Sequence, residues 1–307
     1  MTDISVIILV GQEKLHIGRC LDKLAALGPR QVFVVTSQPD DGTESIAREK
    51  GATVVFHAWP GTQANQFNWA LDNLPVEGAW VLRLDADEYL TDASVTWLKD
   101  AVGGQGTSSH VPTADALRDD CGAMGTSRPT RAPESGSQAI PEGVDALAFT
   151  LERKFCGGVI RHGTNGIKMV RMFRRGRGRY ADTQMDERIV FSGAPMPTPV
   201  VFYDDNLNSM DWWRAKHRGY AKREAAQALA GTFPDPRKAA YYKLPPYLRA
   251  LLYFGIRYVL KRGFLDGYAG WMWNFWQGLW YRWIVDCEIG RMKRRSKVEG
   301  RKLKVEG

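Results

Sequence analysis

Residues 79–89 read Ala-Trp-Val-Leu-Arg-Leu-Asp-Ala-Asp-Glu-Tyr, and this stretch is the strongest indication of the architecture. Its apolar run predicts a buried strand, and two carboxylates, Asp85 and Asp87, stand at the carboxyl end of that strand. In open parallel sheets, ligands lie beyond the carboxyl ends of the strands. There an Asp-x-Asp pair can bind a divalent cation that in turn binds a diphosphate. The alternative is a solvated acidic turn, because many strands end in Asp or Glu.

Short apolar runs alternate with helical patterns from residue 4 to residue 89. Strands are predicted at residues 4–10, 32–35 and 53–56, and helices at about 13–27, between the 37–43 turn and Gly51, and at about 63–74. Such alternation is typical of βαβ units. We therefore predict an α/β fold, Rossmann-like, with a mainly parallel sheet, and the acidic pair lies where a nucleotide-type fold places its ligand.

The composition changes between residues 103 and 143, where Gly, Ser, Thr, Pro and Ala dominate. Such a segment buries too little apolar surface to offset its ordering entropy, so we interpret it as a flexible insertion. Strands resume at residues 146–151, 168–173 and 189–191. A second acidic group, Asp186 and Glu187, stands just before the last of these strands.

The charge balance is basic, with 42 Lys and Arg against 34 Asp and Glu, a net charge of +8. The excess is concentrated at residues 171–179 and 291–304, where it suits nucleic acid, sugar phosphates or an anionic membrane. Nucleic acid is the weakest candidate, because no nucleic-acid-binding motif is visible. The four cysteines lack metal-type spacing and are expected to be reduced thiols of a cytosolic protein. The amino terminus also lacks the basic region of a signal peptide.

The carboxyl-terminal part, residues 241–307, is expected to be a helical extension. A helix-like run covers residues 247–261, and five tryptophans follow between Trp271 and Trp283. Asn274, Gln277 and Arg282 interrupt the ~20 apolar residues that a membrane-spanning helix needs. Trp and Tyr prefer the membrane–water boundary, so we expect these two runs to form an interfacial, monotopic helix pair backed by the basic tail. The alternative is a Trp-rich helix that packs on the catalytic domain or in a dimer interface.

The two acidic groups match the needs of an inverting sugar transferase. Such an enzyme requires one site for the metal and the diphosphate leaving group, and one carboxylate that takes the proton of the acceptor hydroxyl. Asp85 and Asp87 supply the first function, and Asp186 and Glu187 supply the second. A carboxylate beside Arg171 or Arg188 can also be a plain ion-pair partner.

The chain closely resembles the family 2 glycosyltransferases with a GT-A fold, and most closely the bacterial branch that assembles lipopolysaccharide core, colanic acid and other surface polysaccharides. The resemblance covers nearly all of the chain outside residues 103–143. The matching segments are the Asp-Asp-Gly-Thr turn at 40–43, the helix at 63–71, the strand and acidic pair at 82–88, and residues 161–163, 170–176, 185–187, 205–208, 212–213, 216–217 and 220–225.

This resemblance implies a role for each acidic residue. Asp85 would contact the donor's ribose or the metal, and Asp87 would ligate Mn²⁺ or Mg²⁺ on the diphosphate. Glu187 occupies the position of the catalytic base, with Asp186 as the alternative. His162 is implied to lie in the donor or acceptor pocket. The residues implied to bind the donor are Val10, Glu13, Thr36, Asn68, Asp85, Lys168 and Arg171.

Two departures from the family pattern fall in the pocket for the nucleotide base. The family usually carries Thr-Tyr-Asn-Glu after the first strand, whereas residues 10–13 read Val-Gly-Gln-Glu, so that Glu13 alone is kept. The family's Asp at the end of the second strand is Thr36 here. These changes are compatible with an altered donor, weaker donor binding, or a chain that has lost catalysis while keeping its fold. The acidic groups are intact, which favours an active enzyme.

The resulting expectation is a donor-binding half at residues 1–102, the insertion at 103–143, an acceptor-side half at 144–240 and a membrane-associating extension at 241–307. The donor would be a nucleotide-diphosphate sugar and the acceptor a lipid-linked glycan at the cytoplasmic membrane surface, with the protein peripheral on the inner face of the plasma membrane. A catalytically impaired nucleotide- or glycan-binding protein is the competing class. A nucleotidyltransferase should show a Gly-rich, basic phosphate loop after the first strand, and none is visible.

Overall fold

The structure, a computed structural model, describes residues 1–103, 139–164, 166–181, 189–231, 233 and 236–303. Most of the predicted insertion, and Cys121 within it, therefore lies outside the described residues. The chain forms two compact units, one of Met1–Leu151 with Lys168–Tyr203 and one of Glu152–Ile167 with Asp204–Gly307. The domain boundaries expected from the sequence stay a prediction.

The first unit is built on an α/β sheet, as the sequence predicts. Its helices are α1 (Ile17–Ala25), α2 (Thr43–Glu49), α3 (Gln63–Asn73) and α4 (Asp92–Val102). Its early strands are β1 (Thr2–Val10), β2 (Pro29–Thr36), β3 (Thr53–Phe56), β4 (Trp80–Asp85) and β5 (Glu88–Leu90). The later strands of the chain are β6 (Ala146–Phe155), β7 (Gly158–Ile160), β8 (Ile167–Arg174), β9 (Gly178–Tyr180), β10 (Ile189–Phe191) and β11 (Met196–Asp205). Of these, β7 belongs to the second unit.

The described strands of the main sheet follow the order β3-β2-β1-β4-β8-β6-β11-β5. Strands β3, β2, β1 and β4 run parallel, and β8 is antiparallel to β4. Strands β9 and β10 form a separate two-stranded sheet, and β7 pairs with the end of β6. In the parallel half, the carboxyl ends of β1, β2 and β4 lie on the same side of the sheet. Ligands bind beyond these strand ends in folds of this class.

The sheet is covered by apolar side chains on both faces. Ile4, Val6 and Ile8 of β1 belong to one buried cluster with α1, whereas Ile7 packs with Phe67 of α3 in another. This alternation follows from the two-residue period of a strand. A strand buried on both faces reads as a continuous apolar run, which is why the sequence pattern is so clear here.

Gly78 fixes the start of β4 against β1. A Cβ atom at Gly78 would lie 2.5 Å from the backbone nitrogen of Ser5, so any other residue would push the strands apart. The Gly78 amide donates to the Ser5 hydroxyl at 2.9 Å. Strand β4 therefore begins in a defined register, with Ile4 opposite Trp80 and Leu9 opposite Asp85.

The second unit is mainly helical. It contains α5 (Met210–Ala230), α6 (Pro236–Lys243), α7 (Leu248–Gly255), α8 (Gly267–Trp273) and α9 (Tyr281–Leu303). A π-helical segment, Ile256–Leu260, continues α7, a 3₁₀ turn covers Gly263–Asp266, and a second π-helical segment, Asn274–Trp280, joins α8 to α9. Helices α5 and α9 pack through Ala221, Ala225, Tyr281, Val285 and Ile289.

The Trp-rich stretch divides into inward and outward side chains. Trp273 is buried with Trp213 and Ile160, and Trp276 and Trp280 pack against that cluster. Trp271 and Trp283 are exposed. Among the described residues, no helix is both long enough and apolar enough to span a bilayer. Internal packing, the alternative weighed from the sequence, thus applies to Trp273 and its neighbours, and membrane attachment stays a prediction.

Candidate active site

Three of the residues expected in the donor site end adjacent parallel strands. Val10 of β1 lies opposite Thr36 of β2, and Leu9 lies opposite Asp85 of β4. The three strands carry these residues to one edge because their registers are fixed by buried apolar runs. The sequence-predicted grouping of Val10, Thr36 and Asp85 is therefore present in the fold.

Two buried arginines contact the Asp85 carboxylate. Arg83 Nη2 lies 3.2 Å from Asp85 Oδ1, and Arg171 Nη2 lies 3.8 Å from Asp85 Oδ2. The side chains of Arg83 and Arg171 are almost fully buried, while that of Asp85 is 31% exposed. Burial alone would raise the pKa of Asp85, but Arg83 and Arg171 hold it below its usual range. Asp85 is therefore an ionised, fixed acceptor that faces partly outward.

Arg83 is itself held from several directions. Its Nη2 donates to Gln63 Oε1 at 2.8 Å, its Nη1 donates to the Tyr180 hydroxyl, and its guanidinium lies 4.8 Å from the centre of the Tyr180 ring. Burial would lower the pKa of Arg83, but Asp85 and Tyr180 outweigh burial and raise it. Arg83 thus stays charged, and its rigid fork fixes the direction of Asp85.

Glu88 supports the turn that follows β4. Its Oε2 accepts a hydrogen bond from the Asp85 amide at 3.0 Å, and Arg171 Nη2 donates to its Oε1. Burial raises the pKa of Glu88 to about 8, although Arg171 opposes this shift. Glu88 therefore pins the backbone of Asp85 from inside the sheet, and its buried position keeps it away from the solvent side of the turn.

Of the two carboxylates at the end of β4, one is suited to bind a divalent cation and the other is not. Among the described residues, no group of three or more His, Cys, Asp or Glu side chains is placed to hold a metal ion. A cation on Asp85 would approach two guanidinium groups and be repelled by both. Asp87 is half-buried at the turn and offers the hard oxygen atoms that Mn²⁺ and Mg²⁺ prefer. The donor set therefore fits a cation at Asp87 better than at Asp85.

The pocket expected for the nucleotide base is lined by side chains with internal partners. Thr36 is buried, and its hydroxyl donates to the Gln38 carbonyl at 3.3 Å. The Glu13 carboxylate pairs with His16 Nδ1 at 2.6 Å, and the Glu13 amide donates to the Thr43 hydroxyl at 3.0 Å. Thr36 therefore does not present a carboxylate-like acceptor where the family usually has Asp.

The Asp-Asp-Gly-Thr turn is closed by its own carboxylates. Asp40 Oδ1 accepts from the amides of Gly42 and Glu44 at 2.9 and 3.1 Å, and Asp41 accepts from the Thr43 amide at 3.1 Å. Burial would raise the pKa of Asp41, but hydrogen bonds from Thr43 lower it. Gly42 has φ of +100°, a conformation that a side chain would strain. The motif is thus a rigid turn that starts α2.

Asn68 and Lys168 occupy different surroundings. The Asn68 side chain donates to the Tyr180 carbonyl at 3.0 Å and accepts from the Tyr180 amide at 2.9 Å. Asn68 thus links α3 to β9, a structural contact that the sequence did not predict. Lys168 is exposed near the start of β8. Contacts of either residue with a donor stay predictions.

In the second unit, His162 is oriented by Asp266. His162 Nδ1 lies 2.6 Å from Asp266 Oδ1, and the amides of Arg161 and His162 donate to Asp266 Oδ2 at 2.9 and 2.7 Å. Asp266 is buried, whereas the His162 side chain is 36% exposed. A carboxylate in this position fixes the imidazole ring and leaves Nε2 directed away from it. Asp266 was not predicted from the sequence, because it lies 104 residues from His162.

The predicted base, Glu187, and its alternative, Asp186, lie outside the described residues. Their assignment stays a prediction from the sequence. The site that the structure does describe therefore consists of the acidic end of β4 and the side chains that hold it.

The family can be decided by sequence comparison. The profile of glycosyl transferase family 2 matches residues 5–172, which is more than half of the chain and nearly all of the parallel half of the sheet. The chain belongs to glycosyl transferase family 2. Its fold is an α/β fold of the GT-A type, as the resemblance implied, followed by a helical region.

Solved structures give weaker comparisons. Glucosyl-3-phosphoglycerate synthase from Mycobacterium tuberculosis, in complex with Mn²⁺, uridine diphosphate and glucosyl-3-phosphoglycerate, is 23% identical over 34% of this chain and 39% of that chain, with a TM-score of 0.27. Mannosyl-3-phosphoglycerate synthase from Rubrobacter xylanophilus is 23% identical over 28% of this chain and 31% of that chain, with a TM-score of 0.25. The alignments thus span less than half of these proteins. No curated protein matches the chain.

Arg83, Tyr180 and Glu88 are the site residues to which sequence reasoning gave no role. Arg83 did carry a signal, because a charged residue inside the apolar run of β4 must have a buried partner. Tyr180 carried none, since it is 97 residues away from Arg83. Arg171, which the resemblance placed in the donor pocket, is found beside Asp85 as well as Glu88.

Proposed function

We propose that this glycosyltransferase moves a sugar from a nucleotide-diphosphate donor to a lipid-linked or lipopolysaccharide-type surface glycan, with inversion at the anomeric carbon. One observation carries the donor part of the proposal. Asp85 is an ionised carboxylate fixed at the carboxyl edge of a parallel sheet, beside Val10 and Thr36. This edge is where sheets of this class bind nucleotides.

Asp85 and Asp87 would have different roles in binding the donor. Asp85, held by Arg83 and Arg171, would accept a hydrogen bond from a ribose hydroxyl, which is the role that its arginine neighbours favour over metal binding. Asp87 would hold Mn²⁺ or Mg²⁺, which neutralises charge on the diphosphate leaving group when it is bound. Arg83 stays charged and keeps Asp85 in place when the donor enters.

Glu187 would act as the general base. Its carboxylate takes the proton of the acceptor hydroxyl while the hydroxyl oxygen bonds to the anomeric carbon, and the bond from that carbon to the diphosphate oxygen breaks on the opposite face. The product is an inverted glycoside, a nucleoside diphosphate and a proton on Glu187. Asp186 is the alternative base. Support for both comes from the sequence resemblance.

The acceptor class and the location rest on further reasoning. The resemblance to enzymes of surface-polysaccharide assembly supports a lipid-linked acceptor, and such acceptors lie in a membrane. We therefore propose that the protein is peripheral on the inner face of the plasma membrane, with the second unit as its membrane-binding part. The basic tail at residues 291–304 would add attraction to anionic lipid.

One observation favours a second candidate, a donor-binding protein with impaired catalysis. The Thr36 hydroxyl donates to Gln38, so it offers the base only a neutral acceptor in place of the family's charged carboxylate. Weak or altered recognition of the base would follow. This candidate shares the fold and the Asp85 site with the enzyme and differs in turnover.

A thermal-shift screen of nucleotide sugars with and without Mn²⁺ tests the proposal. A donor at 100 times its Kd should stabilise the folded protein by about 2.7 kcal/mol, because it binds only the native state. We expect one class of nucleotide sugar to raise Tm, more strongly with Mn²⁺, and to yield free nucleoside diphosphate when acceptor lipid is added. Binding without turnover would favour the impaired protein, and the absence of any shift would reject both candidates.

A further inference from the structure

Helix α7 and its π-helical continuation present leucines to solvent and arginines to the interior. Arg249 and Arg257 are only 3% and 5% exposed. The opposite side carries a stripe of exposed aliphatic residues at the spacing of one helix face: Leu248, Leu251, Leu252, Ile256, Val259 and Leu260. Leu260 is 75% exposed. This arrangement is the reverse of a helix on the surface of a water-soluble domain.

The inward arginines fix the helix in this orientation. Arg249 Nε donates to Asp286 Oδ1 at 2.9 Å, and Arg249 Nη1 donates to the Tyr242 carbonyl at 3.0 Å. Arg257 Nε donates to the Gly163 carbonyl at 3.3 Å. Turning the helix to bury its leucines would break the buried Arg249–Asp286 pair and leave a buried charge without compensation, which is strongly unfavourable. The exposed stripe is therefore a stable feature of this unit.

Further exposed apolar residues precede and follow the helix in the sequence. We define the apolar face as the six aliphatic residues of the stripe together with the exposed residues Leu244, Tyr247, Phe264, Leu265, Tyr268 and Trp271. Phe264 and Trp271 contact Tyr258 of the π-helical continuation. Single exposed apolar residues are ordinary, but a group of this size marks an interaction site. Tyr and Trp at the edges of such a patch suit the boundary between lipid and water.

The charges around the apolar face are basic. Within residues 243–271, all of which the structure describes, the exposed charged residues are Lys243, Lys261 and Arg262. Asp266 is the one acidic residue in this range, and it is buried against His162. A second copy of the chain would bring these like charges together, whereas an anionic lipid surface complements them.

We propose that the apolar face inserts into the interfacial layer of an anionic bilayer, with α7 lying in the membrane plane and Lys243 and Arg262 at the headgroups. The inference rests on the peripheral location proposed above, and it assigns that location to residues 244–271. The sequence predicts an interfacial helix pair whose apolar side is formed by the tryptophans between Trp271 and Trp283, whereas this inference assigns the contact to the first helix and the residues that follow it. Trp273 faces inward, so the leucine stripe provides the contact.

Vesicle flotation with the full chain tests this assignment. The probe is a vesicle of phosphatidylglycerol and phosphatidylethanolamine, compared with phosphatidylcholine alone, at low and high salt. Leu252→Glu with Val259→Glu should weaken binding to the anionic vesicles at least tenfold. Lys243→Glu with Arg262→Glu should weaken it by a similar factor at low salt and less at high salt, since each basic residue near the surface contributes about fivefold.

Leu229→Glu is the matched control, because Leu229 is 42% exposed on α5, away from the apolar face in the sequence. It should bind vesicles like the parent. The Tm of each variant in solution shows that it is folded.

The assignment is overturned if Leu252→Glu with Val259→Glu floats like the parent, if phosphatidylcholine binds as well as the anionic mixture, or if the parent is a dimer that this variant dissociates. Donor binding, read by thermal shift, is a separate measurement: a protein that floats but binds no donor would reject the proposed function and keep this inference.

Discussion

Arg83 and Asp85 stand two residues apart on β4, and their side chains meet on the same face of the strand, 3.2 Å apart. Residues i and i+2 of a strand share a face, so the pair is set by local geometry. The Tyr180 hydroxyl and Gln63 hold the other side of the guanidinium. The carboxylate at the end of the strand therefore has a fixed direction before any donor binds, which is the condition for selective binding.

Arg83→Lys should weaken donor binding at least tenfold and lower the free energy of unfolding by about 2 kcal/mol, because one ammonium cannot serve Asp85, Gln63 and Tyr180 together. Donor titration by calorimetry and urea denaturation check the two effects. Arg179→Lys is the control, since Arg179 pairs with Asp72 at the surface and such pairs contribute about 0–1 kcal/mol. Equal donor affinities in the parent and Arg83→Lys would disprove the positioning role.

Asp87→Asn should abolish transfer and the Mn²⁺-dependent part of the thermal shift, with an unchanged Tm in the absence of ligands, because an amide is a poor ligand for a hard dication. Asp85→Asn should instead lower the Tm without ligands, since it removes the counter-charge of Arg83 and Arg171. Sugar transfer by Asp87→Asn at the parent rate, under the same metal, would show that the cation is held elsewhere.

Glu187→Gln should lower turnover by roughly a hundredfold or more and leave donor binding nearly unchanged, as expected for loss of a general base. Single-turnover kinetics with saturating donor separate these quantities. Asp186→Asn is the paired variant and should retain most of the activity. The opposite ranking of the two variants would exchange their roles.

Asp266→Asn should loosen His162. The amides of Arg161 and His162 should exchange hydrogen faster, because they lose a charged acceptor at 2.9 and 2.7 Å. If His162 contacts the acceptor, KM for the acceptor rises in Asp266→Asn and in His162→Ala alike, while the Kd of the donor stays constant. Faster exchange with unchanged KM would restrict Asp266 to a structural role.

Glu224→Gln tests the buried network between α5, α6 and α9 through its pH dependence. Glu224 accepts from Tyr242 at 2.9 Å, Tyr281 at 2.6 Å and Arg282 at 2.9 Å, with Lys238 at 3.4 Å. Burial would raise the pKa of Glu224, but Arg282, Tyr281 and Lys238 lower it. The carboxylate therefore adds stability above its usual pKa of 4.5, and that stability is lost as the pH falls through the lower folded value.

At pH 7 the free energy of unfolding of the Glu224→Gln variant should be about 3 kcal/mol lower than that of the parent. The difference should shrink progressively below pH 4.5 in urea titrations. A difference that stays constant as the pH falls through the lowered pKa of Glu224 would show that the carboxylate charge does not matter to this network.

Much of the first unit could be predicted from the sequence. The sequence predicts β1, β3, β4 and α3 within two residues of their observed ends, and it predicts the acidic pair at the end of β4. Strand periodicity and buried apolar runs are local properties, so they can be recognised from the amino-acid sequence alone. The family also followed from short motifs in the right order.

The partners of those residues were decided by the tertiary structure. Asp85 meets Arg171 and Arg83 meets Tyr180 across separations of 86 and 97 residues, and no local pattern encodes such a contact. Likewise, the spacing of residues 248–260 predicts a helix with a leucine stripe, but spacing alone would turn that stripe inward. Asp286, 37 residues further along the chain, binds Arg249 and turns the charged side of the helix into the unit. A sequence gives the faces of a helix, and only the charges and apolar groups packed around it decide which face is buried.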